Sequence, residues 1–439
     1  MVDEVSDGFE CPFSSSHVQA NESAVPQQRT KICMTFPTRG ARRVSLSLSC
    51  FQDSTHVSRP ASLASSVEHL PGRGENDDVF PASIPSPAMG PSAMSRPAAT
   101  TARVAFLDTL RFIAAGAVLF QHVAEKSGKF GQWAVAMLSP GVFGVVLFFI
   151  VSGFVIPMAA GHRFVLKTFV IRRVFRIYPL VLVAFTLMAL VGYGSDLAAF
   201  SAVKSATLHD WLANLLLVQD YFGVTSILGV TWTLSIEFIW YGIFATALLN
   251  LGRRFDDKLV IIAPLVQVVL VGVSLLIGHR LPLARIGMIY AAILGCRAFR
   301  AQDGQLMLRR VCIDTGIFIV TMAISNIVSF GYYRHPNISM NEALFPWLVA
   351  PVLFMLVACV PNIHHSPLVT NRLTGRLGSI SFSTYILHPF AMGLASAFVP
   401  SSLFSVTCIL LTLVLSMLGY WLVELPGQAL GKRIVALTR

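Results

Sequence analysis

Between residues 104 and 423 the chain runs in long apolar stretches of about 17 to 24 residues, each broken off by a short polar segment. An α-helix rises about 1.5 Å per residue, so one such stretch covers the roughly 30 Å of a bilayer's hydrocarbon core. The ten-residue alternating pattern of an outer-membrane barrel strand is not what these stretches show. They predict about ten transmembrane helices, at roughly 104–123, 141–160, 178–194, 229–250, 259–278, 281–298, 311–330, 345–361, 380–399 and 403–423. The fold class read from the pattern is all-α, a polytopic membrane helix bundle over residues 101–430 with a short tail at 431–439.

Residues 1–100 are written differently. They are rich in Ser, Pro and Ala, show no sustained apolar periodicity, and bury too little surface to offset the entropy of ordering, so disorder is expected. No basic segment followed by an apolar core marks a secretory signal. Met94 opens MSRPAATTARVAFLDTLRF just ahead of the first span and offers an alternative start that would leave residues 1–93 untranslated. N-terminal sequencing distinguishes the two. Between the third and fourth spans lies a longer outer loop, about 195–228, carrying Asp196, Asp210, Trp211, Asp220 and Tyr221. Its segment Leu208 to Val218 is apolar enough to lie along the interface as a short helix. Anchoring at the membrane surface and contact with a sugar are both open roles for its aromatic residues.

Composition supports the membrane reading, with 54% hydrophobic and 13% charged residues and a mean hydropathy of +0.67. The net charge of +11 would suit nucleic acid, but its placement argues against that partner. Arg163, Lys167, Arg172, Arg173 and Arg176, then Arg253, Arg254 and Lys258, then Arg297, Arg300, Arg309 and Arg310, then Arg372, Arg376, Lys432, Arg433 and Arg439 fall on alternate polar segments. The other side holds Lys126, Lys129, Lys204, Arg280 and Arg334, a bias of 17 to 5. The positive-inside rule then puts both termini in the cytoplasm. Seven cysteines are scattered without paired or metal-ligand spacing, which predicts no metal site and no disulfide framework.

Within the first span Arg111 and His122 stand eleven residues apart. At about 100° per residue they share a helix face, and their separation along the axis is about 16 Å. Ionisable residues in a membrane helix are costly, which suggests a polar cavity; snorkelling of the two to opposite interfaces is the alternative. Asp108 lies three residues before Arg111 and can pair with it. In the fourth span Glu237, Trp240 and Tyr241 share a face, and a buried Glu must be paired or hydrogen-bonded. In the ninth span Tyr385 and His388 are one turn apart, and His388-Pro389 predicts a kink with freed backbone. Arg285 is a further intramembrane cation.

Several segments match one family pattern in order: LDTLRFIAAGAVLFQH (107–122), FFIVSGFVI (148–156), RRVFRIYPL (172–180), TWTLSIEFIWY (231–241), GSISFSTYILHPF (378–390) and WLVELP (421–426). On these the chain resembles the acyltransferase-3 family of multi-spanning membrane O-acyltransferases, over roughly residues 104–430. The resemblance implies transfer of an acyl group, acetyl in the simplest case, from acyl-coenzyme A to a hydroxyl of a carbohydrate acceptor, in a bacterial cytoplasmic (inner) membrane and without a metal. It implies His122 as the residue acting on the acceptor, with Glu237 in support and Arg111 orienting a carbonyl or an anion. Arg173 and Arg176, with Arg172 less clearly placed, would hold the phosphates of coenzyme A, or else anchor the helix at anionic lipid head groups. Trp232, Tyr241, Tyr385, His388, Ser152 and Arg285 are the supporting set. No Ser-His-acid order is visible, so Ser152 with Gly153 reads as a point of close helix or ligand approach rather than a nucleophile.

Ile239-Trp240-Tyr241 departs from the Phe-Tyr common in the family after the Glu, which unsettles substrate identity and not reaction type. An exported or lipid-linked polysaccharide and a small molecule such as a macrolide sugar are both open as acceptors. A transporter is the competing class, and the absence of inverted repeats speaks against it.

Overall fold

The computed structural model describes residues 98–438, apart from His162 and residues 335–337. The expectations for residues 1–97, disorder and the start at Met94, lie outside the described residues. Sixteen α-helices follow one another: α1 Ala98–Glu125, α2 Gly128–Leu138, α3 Pro140–Ala160, α4 Leu166–Gly194, α5 Ser201–Ser205, α6 Leu208–Leu215, α7 Trp232–Leu251 and α8 Phe255–Ile277. Then come α9 Leu283–Gln302, α10 Leu308–Asn326, α11 Met340–Cys359, α12 Pro361–His364, α13 Arg372–Ser379, α14 Ser381–Phe398, α15 Ser401–Gly419 and α16 Leu425–Leu437. No strand occurs among the described residues.

The protein is an integral membrane helix bundle, and a long helix stands at each of the ten positions marked by the apolar runs. Seven stretches are long and apolar enough to cross a bilayer, and one of them, Gly229–Ile277, holds both α7 and α8. The remaining two, α9 and α14, are of similar length but more polar, and both are largely buried inside the bundle. Enclosure by protein is what lets a more polar helix sit at membrane depth. By contrast α8 exposes Ile261, Leu265, Val268, Val269 and Leu276, a surface suited to lipid.

At the centre stands α3, apolar all round and packed against α1, α9 and α11. Its glycines make this contact close. A Cβ on Gly153 would fall 1.8 Å from the Ala292 carbonyl oxygen, one on Gly295 of α9 would fall 2.0 Å from that of Ile150, and one on Gly144 would fall 2.4 Å from that of Ala114 on α1. The backbones therefore touch, as small residues permit in membrane helices. Pro157 has no N–H, which leaves the Gly153 carbonyl without its intrahelical donor, and the Cys296 thiol donates to it at 3.1 Å.

Two features differ from the sequence reading. Helix α4 begins at Leu166, not near 178, so Lys167, Arg172, Arg173 and Arg176 lie on the helix and not in a loop. Charge ends the apolar run but not the helix, which carries these basic residues in its first turns. The sequence pattern places Arg297 and Arg300 in a basic loop. They are buried: Arg297 Nε lies 2.8 Å from Asp314 and its Nη1 3.3 Å from Asp256, while Arg300 Nη1 lies 2.8 Å from Asp256 and 2.9 Å from Asp257. Arg297 also pairs with Asp257. Buried charges persist only when paired, and this cluster ties α8, α9 and α10 at one end.

The segment 195–228 forms, as expected, a short helix, α6. Thr207 and Asp210 form a capping box at its start, and these hydrogen bonds hold the Asp210 carboxyl below its usual range. Trp211 Nε1 donates to the Tyr193 hydroxyl at 3.1 Å, and buried Asn214 bonds the backbone of Thr225 and Ile227.

Candidate active site

Five helices converge on one cavity of about 100 Å³. Arg111 comes from α1, Phe148, Ser152 and Val155 from α3, Arg173 and Arg176 from α4, Thr233 and Glu237 from α7, and Ser381 and Tyr385 from α14. Six of the residues singled out in the sequence thus meet: Arg111, Ser152, Arg173, Arg176, Glu237 and Tyr385. The helical register explains it. Arg173 and Arg176 are one turn apart on α4, and the Ser152 side of α3 faces the cavity while Gly153 faces α9.

Inside this cavity charge is managed locally. Arg111 pairs with Asp108 at 3.4 Å. The Arg173 guanidinium lies over the rings of Phe169 and Tyr241, at 5.4 and 5.3 Å. Glu237 accepts from the Tyr241 hydroxyl at 2.5 Å and from Ser152 Oγ at 3.4 Å. A further carboxylate, Glu424, is buried, accepts from Ser383 Oγ at 3.0 Å and from Gln428 Nε2 at 3.1 Å, and lies near enough to feel the charges of Arg111 and Arg176. It sits in a π-turn, Tyr420–Glu424, of the kind often found at functional sites.

The histidines stand outside the cavity lining, joined to it through Tyr385. The Tyr385 hydroxyl is hydrogen-bonded to Thr233 Oγ1 at 2.7 Å and donates to the Val230 carbonyl at 3.1 Å. Its ring centroid is 6.1 Å from that of His388, whose ring stacks on His122 at 5.2 Å with a 22° interplanar angle. Helix α14 runs unbroken through Pro389. Because Pro389 cannot donate, the Tyr385 carbonyl is left open, and His388 Nδ1 takes it at 2.9 Å. A carbonyl only accepts, so Nδ1 carries the proton; Nε2 is buried without a hydrogen-bond partner and presents a lone pair.

The partner of His122 is Glu125, at 3.2 Å, and not Glu237, whose bonds are with Tyr241 and Ser152. Arg172 is exposed and does not line the cavity. Trp232 and Arg285 form a separate group beside the start of α7: the guanidinium lies 5.9 Å from the Trp232 ring and 3.6 Å from Asp220. Burial pushes the Asp220 carboxyl above its usual range, against the pull of Arg285. Sequence reasoning passed over Glu125, and carried Thr233 and Glu424 only as parts of the matched segments 231–241 and 421–426. For Glu125 the signal was an i, i+3 spacing from His122, the same one that revealed Asp108 and Arg111. Among the described residues no group of three or more His, Cys, Asp or Glu side chains is arranged to hold a metal ion.

Set beside known proteins, residues 104–423 match a family profile described as an acyltransferase domain. A protein named acyltransferase MdmB from Streptomyces mycarofaciens is 31% identical over 148 residues, covering 32% of this chain and 38% of that protein. An O-acetyl transferase of Shigella phage Sf6 is 29% identical over 178 residues, covering 38% of this chain and 52% of its own length. The chain thus spans about half or less of the curated relatives it matches. No solved structure matches it.

Proposed function

The chain belongs to the acyltransferase family whose profile it matches over residues 104–423, and from that premise we propose that it is a membrane O-acyltransferase. It moves an acyl group, acetyl in the simplest case, from cytoplasmic acyl-coenzyme A to a hydroxyl of a carbohydrate, an exported polysaccharide or its lipid-linked precursor. The membrane is the bacterial inner membrane, with the arginine end of the bundle in the cytoplasm. The observation that carries this reading is the single cavity in which Arg111, Arg173 and Arg176 face Glu237, Ser152 and Tyr385. The name of the phage relative, an O-acetyl transferase, supports acetyl as the group and oxygen as its acceptor.

In this reading Arg173 and Arg176 take the donor's phosphates by charge-assisted hydrogen bonds. Arg111, held by Asp108, faces the donor in the cavity, and the pantetheine arm extends the thioester over the roughly 16 Å that separates Arg111 from His122. Tyr241 and Ser152 hold Glu237 on the wall, where it limits the positive charge of the slot. His122 takes the proton of the acceptor hydroxyl as its oxygen attacks the acyl carbon; the carbon–sulfur bond breaks and the thiolate leaves. The stacked His388 and His122 carry the chemistry from Tyr385 toward the far face of the bundle, where an acceptor arrives.

Thiol release tests the proposal. Purified protein given acetyl-coenzyme A and a crude envelope glycan liberates free thiol, and surface glycans from a deletion strain lack the corresponding acyl mass. His122→Ala lowers kcat by about 100- to 10,000-fold. Wild-type turnover by that variant would remove His122 from the mechanism, and absence of thiol release together with unchanged glycan masses would overturn the enzyme assignment.

A further inference from the structure

The last turn of α1 holds three polar side chains on one hydrogen-bonded line. His122 Nδ1 lies 3.2 Å from Glu125 Oε2, and Glu125 Oε1 accepts from Gln121 Nε2 at 3.1 Å. Gln121 Oε1 in turn accepts from the Gly141 N–H at 2.6 Å. Gly141 lies in the first turn of α3, where backbone N–H groups have no intrahelical partner and seek an outside acceptor. The start of α3 thereby fixes which way the Gln121 amide points. Its Nε2 side is aimed at Glu125, and both oxygens of that carboxylate are engaged.

A carboxylate only accepts, so the ring nitrogen facing Glu125 carries the proton and Nε2 is the free base. The stacked His388 ring sets the tilt of the imidazole. The side chain of His122 is 15% exposed and that of Glu125 34%, so the pair borders the rim of the bundle while the ring stays sheltered. The charged and titratable groups facing the pair are His388 on α14, Glu342 on α11 and, on the same helix end, Lys126.

We propose that Glu125, held by Gln121 and the start of α3, is the positioning carboxylate of His122: it fixes the ring with Nε2 toward the acceptor hydroxyl and steadies the imidazolium formed there. The proposal rests on the reading of His122 as the base. In the step, the hydroxyl proton passes to Nε2, the acceptor oxygen bonds to the acyl carbon, and the electron pair of the broken carbon–sulfur bond leaves on sulfur. The imidazolium then gives its proton to the thiolate or to water. Glu125 remains ionised throughout and transfers no proton, as in other carboxylate–histidine pairs.

The test uses the full-length protein in membranes that carry the native acceptor, with acetyl-coenzyme A as donor and thiol release as readout. Glu125→Gln lowers kcat by about 100-fold or more and leaves the KM for acetyl-coenzyme A within about twofold, because the donor cavity is untouched. Glu125→Asp recovers part of the rate. Gly141→Ala places a Cβ 2.7 Å from Gln121 Oε1 and gives a smaller loss of kcat with the KM again unchanged, an arm that serves also if Glu125→Gln does not accumulate. A kcat for Glu125→Gln close to that of the wild type, a loss shared equally by the KM for acetyl-coenzyme A, or no recovery in Glu125→Asp overturns the positioning role provided His122→Ala is inactive. Full activity in His122→Ala instead removes the base reading on which the proposal stands.

Discussion

Arg173 and Arg176 occupy the same face of α4, but their surroundings differ in a way that separates their contributions. Arg173 is braced over Phe169 and Tyr241, whereas Arg176 lies within electrostatic range of Arg111, which it repels, and of Glu424. A hydrogen bond to a charged group is worth about 1.5 to 3 kcal/mol, so Arg173→Gln or Arg176→Gln raises the KM for acetyl-coenzyme A by roughly tenfold to a hundredfold with a smaller effect on kcat. Steady-state kinetics with varied donor check it; a loss confined to kcat would place the arginines elsewhere than on the donor. At this scale the sequence was informative wherever a costly residue stood alone in apolar surroundings, as with Arg111, His122 and Glu237. It was silent on partners. Glu125 stands at the polar end of its helix, where a carboxylate costs little and attracts no notice, and only the rotamers of the final turn show that it is bonded to His122.

Among the elements, α14 ties backbone to chemistry most directly. Pro389 opens the Tyr385 carbonyl and His388 fills it, so a helix defect is used to hold a ring. Pro389→Ala restores the missing N–H, which competes with Nδ1 for the same oxygen. The expected outcome is a split: thermal stability is kept or rises, since proline in a helix interior costs about 3 kcal/mol, while kcat falls several-fold. Thermal unfolding in detergent beside thiol-release kinetics measures both. A parallel fall in stability and activity would mean that the proline shapes the helix and not the ring. The freed carbonyl was legible because proline's chemistry is local, while the helix itself runs on through Pro389. The length of α4 was not, since hydropathy marks where the hydrocarbon begins and says little about how far a helix continues into the head groups.

For the whole molecule, ten long helices stood where the apolar runs placed them, because in a bilayer every backbone group must be satisfied within a helix and length then follows from thickness. Sidedness is a separate matter. Removing the buried, paired Arg297 and Arg300 from the basic loops leaves the asymmetry intact, and it predicts opposite exposure for the two ends of the bundle. In a cysteine-free background, Phe222→Cys reacts with an impermeant thiol reagent added to intact spheroplasts, and Gln305→Cys reacts only after lysis. The reverse pattern would invert the orientation. What the linear pattern did not carry was which helices converge: the cavity takes its walls from α1, α3, α4, α7 and α14, chosen by packing and not by order in the chain.

The glycine contacts of α3 bear on selectivity. With its backbone against α9 at Gly153 and Gly295, and against α1 at Gly144, this helix has no clearance on two sides. One jaw of the slot is therefore fixed, and a bulkier guest cannot push it back. If the cavity takes the acyl donor as proposed, chain length is gauged by the side chains that jaw presents, Phe148 and Val155 among them, and trimming those two residues, not loosening the bundle, is what alters tolerance for longer acyl groups.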